Sequence, residues 1–89
     1  MKYELIYTKK AISDLEGLHT TEAQRIIIKL EYFIEQPKPL SYAKPLEGIY
    51  KGLFRFRIGD FRALFSRNAQ GGITLLKIIR VQHRKNVYE

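Results

Sequence analysis

The chain has no cysteine, no tryptophan, a single methionine and only three prolines in 89 residues. Without cysteine there is no disulfide framework, no thiolate metal site and no cysteine nucleophile. Two histidines and scattered carboxylates do not supply the spaced donor sets that zinc or iron sites need, so neither metal nor cofactor is expected. No glycine-rich phosphate loop is present: Gly71-Gly72 reads as a hairpin turn, and Gly48 and Gly52 flank a strand. Ser13, Ser41 and Ser66 lack the strand–turn–helix context that exposes a nucleophilic hydroxyl. No apolar run approaches bilayer length, and MKYELIYTKK is too charged for a signal peptide. The expectation is a soluble, cytoplasmic protein with no membrane contact, folded as one domain over residues 1–89.

Acidic residues are scarce in one half only. From Met1 to Gly48, seven basic residues are balanced by seven acidic ones. From Ile49 to Glu89, nine basic residues face only Asp60 and Glu89, which accounts for the whole net charge of +7. A concentrated positive field favours a polyanion or an acidic protein partner and makes binding salt-sensitive.

Apolar residues make up 45% of the chain and include six tyrosines and five phenylalanines, enough for a core. Residues 2–8 alternate, with Tyr3, Leu5 and Tyr7 on one side, and read as a strand. Thr8 is placed to cap a short helix carrying Ala11, Ile12, Leu15 and Leu18. Thr21 and Gln24 have capping-box spacing for a longer helix with Ala23, Ile26, Ile27, Leu30, Phe33 and Ile34 on one stripe. Pro37 and Pro39 end it, and the stretch PKPLSYAKPLEG reads as a loop. Beyond Gly48 the period changes to two. Phe54, Phe56 and Ile58 point one way, Leu53, Arg55 and Arg57 the other. Gly59-Asp60 is a tight turn before a strand through Phe61 and Phe65, and Asn68 to Gly72 is a second connection. Ile73 to Val81 is apolar on both faces, as in a central strand. The expected fold is α+β, a two-layer domain of order β-α-α-β-β-β. A helical hairpin packs on a mostly antiparallel four-stranded sheet.

Arginine density is the chemical feature that remains. Arg55, Arg57 and Arg62 would project from adjacent strands on the open face, with Arg80 and Arg84 near the end of the last strand. Lys51 and Lys85 extend this cationic set, which together with Arg57, Arg80 and Arg84 forms the expected RNA-binding surface. Arginine matches phosphate geometry with paired N–H donors and keeps its charge. RNA brings its own nucleophile, the 2′-hydroxyl, so scission needs only a base, an acid and charge stabilisation. His83 is the natural acid or base by residue type, and Tyr88 is a second candidate if nearby arginines favour its ionised form. A polar surface histidine, a packing tyrosine and solvent-facing arginines are the alternative readings of the same residues.

Three segments carry a family resemblance. They are Lys44-Pro45-Leu46-Glu47-Gly48, the run from Gly52 to Phe65 (GLFRFRIGDFRALF), and His83-Arg84-Lys85-Asn86-Val87-Tyr88. Together they strongly resemble the RelE/ParE toxin superfamily, whose members carry a KL-x-G … YR-x-R-x-G-x-YR stretch and an HRK-x-VY type ending. The resemblance spans essentially the whole chain. It implies the toxin of a type II toxin–antitoxin system, a metal-independent endoribonuclease that cuts mRNA, typically on the ribosome, and inhibits translation. It also implies a cognate acidic antitoxin and higher-order toxin–antitoxin assemblies. Position by position, Arg62 falls on the family's phosphate-contacting arginine and Tyr88 on its acid/base tyrosine. Arg55 and Leu53 fall on two catalytic lysines of RelE, and Gln82 on a further arginine. His83 resembles a histidine near the end of other ribonuclease members. Within the superfamily, ParE toxins share the fold but poison DNA gyrase, and a catalytically degenerate member would only bind its antitoxin.

Overall fold

The Thr8 hydroxyl accepts the Ala11 N–H at 3.1 Å and closes the first turn of α1 (Lys9–Glu16). The same hydroxyl donates to the Ile79 carbonyl at 3.0 Å, so the cap also ties the helix to the sheet. The second helix, α2 (Thr20–Ile34), starts earlier than the capping-box spacing implies. His19 is its N-cap, with no side-chain cap bond, and Thr21 lies inside the helix where its hydroxyl has no cap position to fill.

The computed structural model describes residues 2–86. Five strands form one sheet: β1 (Lys2–Tyr7), β2 (Ala43–Pro45), β3 (Phe54–Ile58), β4 (Phe61–Gln70) and β5 (Ile73–His83). Their order is β1-β5-β4-β3-β2, with β1 parallel to β5 and every other pair antiparallel. The sheet therefore has one strand more than the four expected. The extra strand, β2, lies in the proline-rich segment and is too short to show an alternation. Its Pro45, which has no N–H to donate, is tolerated because β2 is an edge. β4 and β5 also run further than their apolar residues do. Gly71 and Gly72, at φ of +55° and +85°, close a two-residue turn, and exposed Asn68–Gln70 pair onto Ile73–Leu75 by backbone alone.

One face of the sheet presents Phe56, Ile58, Phe61, Ala63, Phe65, Leu76, Ile78 and Val81 to Ala11, Leu15, Ile26, Leu30 and Phe33 of the helices. Rings of Phe33, Phe56 and Phe65 stack in sequence, at 4.7 and 4.5 Å between centroids. In β5 the register breaks: Leu64 pairs with Arg80 and Phe65 with Ile78, leaving Ile79 as an extra residue. This bulge inverts the facing of all that follows. Val81 joins the core, and Arg80 and Gln82 turn to the open face.

Past the end of β1, the edge of β5 is covered by α1. The Asp14 carboxylate accepts the Val81 N–H at 2.9 Å and two guanidinium bonds from Arg80, at 2.9 and 3.2 Å. Burial pushes this carboxyl upward. The bonds from Arg80 and Val81, with the charges of Arg80 and Lys10, outweigh it and leave Asp14 below its ordinary pKa. The folded state thus favours the carboxylate. Its stabilisation is present above about pH 4 and is lost as pH falls through the lower folded value. Asp14→Asn should cost about 1–3 kcal/mol near neutrality, and the gap to the parent should close as pH falls below about 4. Urea denaturation across that range checks this, and a gap independent of pH would refute it.

Candidate functional site

The face away from the helices is built from alternate residues of the three longest antiparallel strands. One cross-strand row is Arg57–Arg62–Gln82, and the next is Arg55–Leu64–Arg80. Both Arg62 and Leu64 are buried although they face away from the helices, so this face is covered around Arg62, which is 9% exposed. The Arg62 Nη1 donates to the Phe61 carbonyl at 3.2 Å. Burial first, then the charges of Arg55, Arg57 and Arg84, lower its pKa, with Asp60 partly offsetting them. A guanidinium stays protonated even so. What the shift records is a buried cation held among other cations.

Arg84 is brought there by the β3–β4 turn. Gly59, at φ +59°, opens that two-residue turn, and the Asp60 carbonyl accepts the Arg84 N–H at 2.7 Å. The Asp60 carboxylate lies 3.9 Å from the Arg84 Nε. Arg57 and Arg84 are exposed, and Arg55 is half-buried. Lys51 is exposed on the loop before β3, and Lys85 is exposed on the turn after β5. Among the described residues no three His, Asp or Glu side chains converge to hold a metal ion, and no helix is long and apolar enough to cross a membrane.

Two expected roles change. Arg80 faces the right way, but its guanidinium is committed to Asp14, so it is a structural cation in this state rather than an available phosphate ligand. His83 is on the other face. The β5 bulge pairs it with Phe61, and the two rings meet edge-on at 5.4 Å on the helix side. Its Nδ1 accepts the Lys85 N–H at 3.3 Å. His83 is therefore not brought together with Arg55 and Arg62. Tyr88 lies outside the described residues.

Sequence reading missed the parts played by Asp14 and Asp60. The signal was present for Asp60, the only acid between Ile49 and Lys85 and adjacent to a turn glycine. Asp14 gave none, since a carboxylate between apolar helix positions is ordinarily solvent-facing.

No curated protein matches the sequence. Solved structures do. The toxin–antitoxin complex RelBE2 from Mycobacterium tuberculosis contains a chain 25% identical, with a TM-score of 0.74, matched over 94% of this chain and all of that one. The archaeal RelE–RelB complex from Pyrococcus horikoshii OT3 is also 25% identical, at a TM-score of 0.69 over 98% of this chain and all of the other. The YoeB/ParE toxin from Agrobacterium tumefaciens shares the fold, with 22% identity and a TM-score of 0.66 over 93% and 98% of the two chains. The family model for the ParE toxin of the type II toxin–antitoxin system parDE matches residues 5–88. With an arginine-bearing sheet backed by a helical hairpin, and that match over nearly its whole length, the chain belongs to the ParE toxin family, within the RelE/ParE superfamily of type II toxins.

Proposed function

We propose that this toxin is a metal-independent endoribonuclease that cuts mRNA at the arginine cluster around Arg62 and is silenced by an acidic antitoxin. The observation that carries the reading is the buried Arg62, set with Arg55, Arg57 and Arg84 in one cationic cluster. A phosphodiester seated there meets paired N–H donors whose charge does not depend on pH. In scission, the 2′-oxygen loses its proton to a base and bonds to phosphorus. The bond to the 5′-oxygen breaks, and an acid protonates that oxygen. The products are a 2′,3′-cyclic phosphate and a 5′-hydroxyl. Arg62 and Arg55 stabilise the added negative charge on the phosphoryl oxygens as they become phosphorane-like, while Arg57, Arg84, Lys51 and Lys85 hold the strand on either side. Proton transfer is assigned to Tyr88 ahead of His83. Tyr88 falls on the acid/base tyrosine of the resembling motif, and His83 is turned to the helix side. The antitoxin reading draws on neighbours solved as toxin–antitoxin complexes and on the acid-poor second half of this chain.

The family model names ParE, so gyrase poisoning is the second reading. Expression in cells decides between them. Ribonuclease action predicts loss of translation with message fragments bearing 5′-hydroxyl ends. It also predicts that the purified protein makes the same ends with a chelator present. Intact RNA with stalled gyrase and broken DNA would establish the second reading, and intact RNA with normal growth would leave only antitoxin binding.

A further inference from the structure

Gln82 closes the row Arg57–Arg62–Gln82 on the face away from the helices. The other members of that row are guanidiniums, which donate hydrogen bonds and accept none. The Gln82 side chain is half-buried, and its carboxamide Oε1 is buried with no donor bonded to it among the described residues. Turning the amide over would not answer this, because it would set N–H donors among donors. A buried acceptor without a donor opposes folding, and a partner that arrives later accounts for it most simply. The backbone on either side of Gln82 is pinned. The Val81 N–H donates to the Asp14 carboxylate at 2.9 Å, and the Arg84 N–H to the Asp60 carbonyl at 2.7 Å. With the bulge at Ile79 setting its facing, Gln82 holds one acceptor in a fixed place beside the cationic cluster.

A strand that engages Arg62 meets Gln82 as well, because the two are cross-strand partners with Cβ atoms about 5 Å apart. A phosphate cannot satisfy Oε1, since it too only accepts. The donors that RNA carries are its base N–H groups and its 2′-hydroxyls. Base donors change with sequence, whereas each phosphate has a 2′-hydroxyl on the sugar at either side. The ribose on the 5′ side of the cut is not available, because its 2′-oxygen gives up its proton as it attacks. The ribose on the 3′ side keeps its hydroxyl throughout. We infer that Gln82 reads this ribose: its Oε1 accepts a hydrogen bond from the 2′-hydroxyl of the nucleotide on the 3′ side of the cleaved phosphate. The inference rests on the ribonuclease reading and deepens it. Arginines hold any phosphodiester chain, DNA included, and the Gln82 contact favours RNA independently of the attacking hydroxyl.

The test compares kcat/KM for a short RNA with one cut site and for the same RNA carrying a 2′-fluorine on the nucleotide 3′ of the cut. Fluorine keeps a ribose-like sugar pucker, cannot donate, and leaves the attacking hydroxyl in place. The purified parent should cut the fluorinated RNA about five- to tenfold less efficiently, the worth of one hydrogen bond. Gln82→Met should cut the unmodified RNA about as poorly as the parent cuts the fluorinated one, and should treat the two substrates alike to within about twofold. A partly unfolded variant loses activity on both substrates equally, so the ratio stays readable. A parent indifferent to the fluorine overturns the proposal, as does a fluorine effect that survives in Gln82→Met. A preference for one base at that nucleotide, abolished by Gln82→Met with no fluorine effect, makes Gln82 a base reader and also overturns it. In each of these cases RNA is still cut and the ribonuclease reading stands. RNA left intact by the purified parent overturns both.

Discussion

Tyr88→Phe should slow single-turnover RNA cleavage by about 100- to 10,000-fold, the usual worth of positioned proton transfer. The substitution keeps the ring and removes only the hydroxyl, so packing is preserved and the loss reports on chemistry. A phenol titrates near 10 in isolation, and a concentrated positive charge favours its phenolate. His83→Ala is the companion measurement. Because the His83 ring sits against Phe61 on the helix side, its loss should change the cleavage rate by less than about threefold. The two variants read against each other at saturating RNA, with circular dichroism confirming the fold. A negligible effect of Tyr88→Phe beside a large one of His83→Ala would reverse the assignment. It would mean that β5 rotates His83 past the sheet end when RNA binds.

Arg62→Met should lower the same rate by about 30- to 1000-fold, equivalent to roughly 2–4 kcal/mol of transition-state stabilisation. Arg62 is not a surface arginine that can be removed without consequence, because its guanidinium is buried. Methionine fills much of the aliphatic volume, and its introduction also removes a desolvated charge repelled by Arg55, Arg57 and Arg84. These effects oppose the loss of the guanidinium's own interactions, the bond to the Phe61 carbonyl among them. Folding stability should therefore stay within about 1 kcal/mol of the parent. Thermal denaturation beside the cleavage assay separates the terms. Cleavage within threefold of the parent would remove Arg62 from the site, and a collapse in stability would make it a structural residue.

Helices, turns and the core face were legible because each rests on a local rule. Thr8 caps the helix it precedes, Gly71-Gly72 turns the chain, and Phe54, Phe56 and Ile58 alternate over a single buried face. The arginine row was legible for the same reason, since Arg55, Arg57 and Arg62 occupy the complementary positions. What escaped was set by pairing at a distance. Nothing in ITLLKIIRVQH marks Ile79 as the residue without a partner, yet that one extra residue decides which face His83 and Arg80 occupy. The same holds for Ala43–Pro45, which is a strand only because β3 offers it an edge. Asp14 likewise acquires its meaning from Val81 and Arg80, 67 and 66 residues away.

The parallel pairing of β1 with β5 has a consequence for how the toxin is made. β1 is completed by β5, and Thr8 finds the Ile79 carbonyl only across a separation of 71 residues. Until β5 has emerged, β1 has no neighbour and β4 lacks one side of its ladder. Closing so long a loop is slow, and it brings its reward only once β5 is in place. A chain in which β5 has not yet docked thus holds neither the full sheet nor the arginine face around Arg62. That face is completed in one late step of folding.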